Sequence, residues 1–500
     1  MFDFIVASEN ITYVVVEIVL MALVLLSIYW YRRPSKSPPG PRGIPLLGVA
    51  PFVGKYMERT MAKWKKTYGS IISVRLGRHD MVVLNDLESI NQALVKQPTK
   101  FSGRALSSLF QEACNGDFGI GLLDYGPTWK SQRKFGLTTL RGFGVGKKST
   151  ESKVSEEITY LNEAIRSKHG KAFDISIILE KAVANNICRV IFGKRYDYDD
   201  KVFEKALHML LTEFNDEAIA LTTRVLFLAP WLRRVPPISS ICARYIDNIS
   251  IVVKFLQSLI DEHEQTFDKE SLRDFIDCFL KEMKKGEDKS FTINQLIHYI
   301  RELFLAGTDT STSTLNWALL CFLHYPEAQR KLRQEVFYVI GSSGAASMSH
   351  KSSMPYTSAF IQELMRYRTL SPLSVLHKAN EDAELNGYVI SKNTIVAPNI
   401  WAVHNDPEHW EEPEKFKPER FINEKGEFVP SSHVIPFSVG PRHCLGEQLA
   451  RMEVFLFLVS MVQKFEFLPD PEAKELPDID NGVSALVFVP YPYRLVANEI

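Results

Sequence analysis

A chain of 500 residues that is 45% hydrophobic and 24% charged is long enough for a large buried core and too apolar for disorder or a collagen-like repeat. Lysine plus arginine balances aspartate plus glutamate at 59 each, so no global basic field draws the chain onto nucleic acid. Six scattered cysteines (Cys114, Cys188, Cys242, Cys278, Cys321, Cys444) contain no CxxC pair, which argues against a disulfide framework or a zinc cluster and for a reducing, cytosolic body.

From Ile11 to Tyr31 the sequence is apolar over about the twenty residues a bilayer requires, with Glu17 its single charge. Tyr29, Trp30 and Tyr31 supply an aromatic belt, and Arg32, Arg33, Lys36 and Arg42 follow on the far side. Only Asp3 and Glu9 precede the span, so the positive-inside rule places the body in the cytosol. A cleaved signal peptide has the opposite order, basic residues first and small residues at a cut site after. The expectation is residues 1–31 as lumenal end and transmembrane anchor, 32–48 as a basic, proline-rich hinge, and 49–500 as one large body. Pro38-Pro39-Gly40-Pro41 cannot continue a helix and reads as a stiff spacer.

In the body, helix-type spacing recurs over 63–68, 151–168, 252–267 and 328–340. Strand patterns occur at 71–76 and 81–84 and again at 383–395 and 485–495. Helix dominates, and the small sheets must be assembled from distant parts of the chain. The polar stretches 281–290 and 341–353 read as surface loops. Between Tyr125 and Thr150 stand six basic residues (Lys130, Arg133, Lys134, Arg141, Lys147, Lys148) and no acidic one. This is either a docking face for an acidic partner or a solvated basic face.

The longest predicted helix opens at Thr292, with Gln295 three residues on as in a capping box, and runs to about His324 before Pro326. In its middle Ala306-Gly307-Thr308-Asp309-Thr310-Ser311 interrupts the apolar pattern, which helix propensity alone does not justify. Near the carboxyl end Phe437-Ser438-Val439-Gly440-Pro441-Arg442-His443-Cys444-Leu445-Gly446 leads into an apolar helix. A cysteine at a helix start feels the positive end of the helix, which favours thiolate and metal binding. The alternative, from these residues alone, is a buried structural thiol.

The loop matches FxxGxRxCxG at every defined position, and here the chain resembles the cytochrome P-450 superfamily. Three further elements of that pattern follow in the same order: Trp129 with Arg133, Glu363 with Arg366, and Pro418-Glu419-Arg420-Phe421. Segments such as CLGEQLARMEVFLF resemble the animal microsomal family-two branch. The resemblance implies a mainly α fold with small β-sheets: one haem-containing domain behind an N-terminal transmembrane helix.

It also implies haem b with Cys444 as the iron ligand and Phe437 and Gly440 shaping the loop. Arg104, Trp129, Arg133, His377 and Arg442 would hold the haem propionates, and Glu363, Arg366 and Arg420 would lock the core. Thr310 and Asp309 match the family's acid-alcohol pair, with a helix disrupted at Gly307 leaving room for dioxygen. The implied reaction is monooxygenation of a lipophilic substrate by O2, with electrons from NADPH through the reductase of the endoplasmic reticulum membrane and a b-type microsomal cytochrome as a second donor. The implied pocket contains Phe118, Phe214, Phe304, Ala306, Val375, Leu376 and Val483. The competing readings are a haem-thiolate isomerase or dehydratase acting on peroxides, and a non-catalytic haem-binding protein. Pro441 departs from the commonest family-two loop, where lysine often stands, and removes one charge from the docking face.

Overall fold

The computed structural model describes residues 14–22, 24–25, 35–114, 116–144, 148–484 and 487–500, with the side chains of 108 and 213–215 outside that description. Of the expected anchor, 14–22 and 24–25 are helical and exposed, and the remainder lies outside the described residues. Among the described residues no helix is long and apolar enough to cross a membrane.

Twelve helices carry the argument: α1 (Met57–Tyr68), α2 (Pro127–Gly142), α3 (Lys148–Arg166), α4 (Ser176–Ile191), α5 (Lys201–Asn215), α6 (Glu217–Leu228), α7 (Ile238–Gln265), α8 (Phe275–Lys285), α9 (Ile293–His324), α10 (Pro326–Ile340), α11 (Pro355–Tyr367) and α12 (Glu447–Lys464). The largest sheet has five strands in the order β1 (Ile71–Leu76), β2 (His79–Leu84), β7 (Ile395–Pro398), β4 (His377–Lys378), β3 (Gly103–Arg104). Strands some 300 residues apart in sequence thus become neighbours, β2 pairing β7 in parallel with Met81 opposite Ile395. Three two-stranded ribbons complete the β structure: β5 (Ala383–Leu385) with β6 (Tyr388–Ile390), β8 (Phe465–Pro469) with β11 (Leu495–Glu499), and β9 (Gly482–Ser484) with β10 (Phe488–Pro490).

The hinge is less free than its prolines suggest. Ser73 N–H donates to the Pro39 carbonyl at 2.8 Å, and Val49 N–H to the Arg75 carbonyl at 2.7 Å. The proline segment therefore docks against β1, because the Pro39 carbonyl satisfies an amide of that strand. The polar stretch at 281–290 is shorter as a loop than expected. Helix α8 continues to Lys285 because Phe275, Ile276, Phe279 and Leu280 bury one face, and Gly286 ends it in the left-handed conformation.

Helix α9 organises the molecule. Thr292 caps it, its side chain accepting from Gln295 N–H at 3.1 Å, and 32 residues give a length of about 48 Å. Its first half, Leu296 to Leu305, packs into a core with α4, α5, α7 and α8, and its second half, Leu315 to Leu323, into a core with α3, α10, α11 and α12. The polar patch stands where α9 leaves one core and enters the other. The expected disruption at Gly307 is absent: α9 is continuous. A Cβ at Gly307 would come within 2.4 Å of Ile187 Cδ1, so the glycine serves the close approach of α4 rather than a break in the helix.

Candidate active site

Cys444 lies in the turn before α12, whose N-cap is Gly446. The Gly446 N–H donates to the sulfur, and the Cys444 N–H donates back to the Phe437 carbonyl at 2.9 Å, closing the loop on itself. Burial pushes the thiol up, while the Gly446 amide and the Arg133 and Arg451 guanidiniums favour thiolate. The loop has a left-handed residue at Gly440, φ 77°, where a Cβ would lie 2.3 Å from the Leu94 carbonyl oxygen. Arg451 covers the Phe437 ring at 4.7 Å from its centroid.

The five expected propionate residues lie near one another. The Arg104 guanidinium donates to the Gly121 carbonyl at 2.8 Å and the Val375 carbonyl at 2.7 Å. Arg442 donates to the carbonyls of Ser102 at 3.0 Å, Ile120 at 3.4 Å and Leu123 at 2.7 Å, and lies over the Trp129 ring at 4.3 Å. Trp129 Nε1 donates to the Ile120 carbonyl at 3.1 Å. His377, on the strand paired with β3, has Nδ1 2.8 Å from the Phe101 carbonyl, while its Nε2 is buried with no hydrogen-bond partner among the described residues. Arg133, 5.9 Å from the Trp129 ring centroid, also donates to the His443 carbonyl at 2.6 Å and so grips the cysteine loop itself.

This cluster fits a bound dianion. Burial, with Arg104 and Arg133 nearby, lowers Arg442 to about 8; burial also lowers Arg104 to about 10. His377 is held well below its usual range by burial and by Arg104. Cations are gathered here at a desolvation cost that only nearby negative charge offsets. Asp124 and Glu302 contribute some, yet Glu302 is itself pushed up to about 7 by burial. Two propionates would supply the rest, and, with Nδ1–H committed to the Phe101 carbonyl, their charge would favour a proton on His377 Nε2 that could be donated to one of them.

On α9, Ala306 is exposed in the middle of a helix otherwise mostly buried, so solvent-accessible space adjoins it. Thr310, one turn on, shares that face, and its hydroxyl donates to the Ala306 carbonyl at 2.7 Å. Asp309 is buried on a different face; beside it Glu180 of α4 is raised to about 7 by burial and by the Asp309 and Asp174 carboxylates. The alcohol faces the space and the acid faces α4.

Of the expected pocket residues, Phe118 is half-buried against Phe110, and Val375, Leu376 and Val483 are half-buried. Phe304 is fully buried, its ring 5.7 Å from Phe192 and 6.3 Å from Phe203, so the fold turns it into the α4–α5 core. The side chain of Phe214 lies outside the described residues. Glu363 and Arg366 are wholly buried and doubly bonded at 2.7 and 2.9 Å; Arg420 reaches Glu363 at 3.1 Å. Sequence reasoning missed Glu302, which accepts from Gly119 N–H at 2.9 Å and Gly121 N–H at 2.7 Å, fixing the segment whose carbonyls serve Arg104, Trp129 and Arg442. A glutamate beside the apolar run LFLA was the only hint. A separate group, His263, Asp274 and Asp277, has metal-like proximity, but its members are already partnered: His263 with Asp274 at 2.7 Å, Asp277 with Arg273 at 2.7 Å.

Comparison with known proteins shows the family. The family model "Cytochrome P450" matches residues 38–497. The chain is 37% identical to "Cytochrome P450 2U1" of Homo sapiens over 514 residues, covering 96% of this chain and 92% of that protein. It is 37% identical to "Cytochrome P450 2J2" of Homo sapiens over 472 residues (93% and 92%), and 36% identical to "Cytochrome P450 2H1" of Gallus gallus over 484 residues (96% and 97%). The chain belongs to the cytochrome P450 family, and its activity is that of a cytochrome P450 monooxygenase.

Proposed function

We propose that this enzyme inserts one atom of O2 into a C–H bond or double bond of a lipophilic substrate such as a fatty acid, steroid or foreign compound. Haem b would be held by Cys444 at the iron and by Arg104, Trp129, His377 and Arg442 at the propionates. The observation that carries this reading is the buried, anion-poor cation cluster with an unpartnered His377 Nε2, set beside a cysteine under a helix N-terminus. A haem iron bearing a thiolate ligand supplies the chemistry, since sulfur donation favours O–O cleavage.

The chain's own residues do the rest. The Gly446 N–H and the start of α12 stabilise negative charge at Cys444 Sγ. Thr310 Oγ1 spends its proton on the Ala306 carbonyl, so its lone pairs accept from a water or acid in the space. The half-buried Glu180 feels the Asp309 carboxylate, and its carboxyl, raised to about 7, holds a proton near neutral pH for delivery toward α9. Phe118, Val375, Leu376 and Val483 offer an apolar surface that excludes water and orients substrate.

Electrons would come from NADPH through the flavin-containing reductase, with a b-type microsomal cytochrome as second donor. Lys130, Lys134 and Arg141 are exposed on α2, the helix whose Arg133 holds the cysteine loop, and Lys147 lies outside the described residues. A positive face there suits an acidic donor. We assign residues 1–31 to a single-pass anchor in the endoplasmic reticulum membrane and residues 49–500 to a cytosolic catalytic body, on the strength of the apolar run and its flanking charges.

Turnover by the reductase-reconstituted enzyme against a panel of lipids and drugs, with products located by mass spectrometry, tests the reaction; NADPH-independent rearrangement of peroxides would overturn it. Cys444→Ser should abolish the thiolate signature of the carbon monoxide adduct. Lys134→Glu should slow electron transfer at low salt without changing substrate binding, and an unchanged rate removes the docking face.

A further inference from the structure

His404 ends the short helix Ile400–His404 and is completely buried, 0% exposed. Its hydrogen bonds run to two different parts of the molecule. On one side its carbonyl accepts from Arg366 Nη1 at 2.7 Å, tying it to the Glu363–Arg366–Arg420 lock. On the other its Nε2 accepts from the Ile435 N–H at 2.8 Å. Ile435 begins the loop that delivers the cysteine: its carbonyl accepts from Ser438 N–H at 3.0 Å, and Phe437 in turn accepts from Cys444 N–H at 2.9 Å. Ser438 stands at φ 60° and Gly440 at φ 77°, so this loop holds unusual backbone conformations that need external fixing.

The protonation state follows from counting hydrogens. The Thr369 hydroxyl donates its one proton to the Arg366 carbonyl at 3.0 Å, so at 2.7 Å it must accept from His404 Nδ1–H. Nε2 must be bare, because it faces an N–H. Only the neutral Nδ1–H tautomer satisfies all four groups. Burial and the adjacent Arg366 hold the imidazole down to about 3, which agrees with this assignment.

We propose that His404 is a positioning residue for the haem ligand: through its Nδ1–H tautomer it transmits the fixed geometry of the buried lock to Ile435 and so sets the register of the loop that carries Cys444. The proposal rests on the reading of Cys444 as the iron ligand.

Two substitutions separate the imidazole's ends. His404→Gln places an amide oxygen where Nε2 accepts from Ile435. His404→Asn keeps a donor for Thr369 and orphans the Ile435 N–H. In the full-length haem-loaded protein, the Asn variant should raise hydrogen exchange at the Ile435 amide by about tenfold or more, the consequence of orphaning one buried donor. It should also move part of the carbon monoxide adduct from the thiolate-type to the imidazole-type absorption band. The Gln variant should restore both readouts toward the unsubstituted protein. Equal behaviour of Gln and Asn in both readouts overturns the proposal. If neither variant folds, the unsubstituted protein decides: a protected Ile435 amide supports the bond and rapid exchange there overturns it. An unsubstituted protein with no thiolate signature instead removes the Cys444 reading, and the proposal with it.

Discussion

Cys444, Thr310 and Glu363 are legible residue by residue because each belongs to a short motif whose members are close in sequence. What surrounds them is not. The amide that stabilises the sulfur belongs to Gly446, yet the opposing burial and the Arg133 and Arg451 charges depend on packing. Gly440 illustrates both levels. The sequence motif requires a glycine, and the structure explains it by φ 77° and a Leu94 carbonyl 2.3 Å from any Cβ. Gly440→Ala should cost about 1–3 kcal/mol through strain and steric contact. A denaturation midpoint unchanged from the parent would show that the loop relaxes freely.

Element boundaries follow from capping and amphipathic pattern. Thr292 and Pro326 bracket α9 as the sequence predicts, whereas the extension of α8 to Lys285 depends on a hydrophobic face the polar stretch conceals. The junction of α7 and α8 has its own electrostatic clasp. His263 Nδ1 faces the Leu259 carbonyl at 2.6 Å, and Nε2 faces Asp274, the N-cap of α8, at 2.7 Å. Burial opposes charge on this imidazole, but the Asp274 carboxylate outweighs it and raises the group above its usual range. A raised folded-state value means the protonated pair stabilises below the unfolded value of about 6.5 and loses that contribution as pH climbs through the folded value. The stability difference between parent and His263→Gln should therefore shrink as pH rises from about 6 to 9 in denaturant titrations. A constant difference would mean the imidazole is uncharged.

For the whole molecule, the lock formed by Glu363, Arg366 and Arg420 joins α11 to the segment before the cysteine loop. Arg366 also donates to the carbonyls of His404 and Pro413 at 2.7 and 3.0 Å, and Lys417 N–H donates to Glu363 at 2.9 Å. Glu363→Gln leaves two buried cations short of an anion and should cost about 3–5 kcal/mol, seen as loss of folded, haem-loaded protein. The exposed pair Lys331–Glu419, at a similar distance of 2.7 Å, should change stability by no more than about 1 kcal/mol when Lys331 becomes Ala. Equal effects would mean that burial does not control the strength of these pairs. The sequence by itself pointed to the reaction class, to Cys444 as the expected haem ligand, to the members of the core lock and to the long central helix, since each is written in short motifs or in a regular period. Only the tertiary structure decided that Arg133 grips the loop, that Phe304 turns into the core, that Gly307 admits α4, that Glu302 holds the Gly119–Gly121 segment and that His404 links Arg366 to Ile435. Those roles depend on contacts between residues tens to hundreds of positions apart, where burial and partner geometry, rather than residue type, fix what a side chain does.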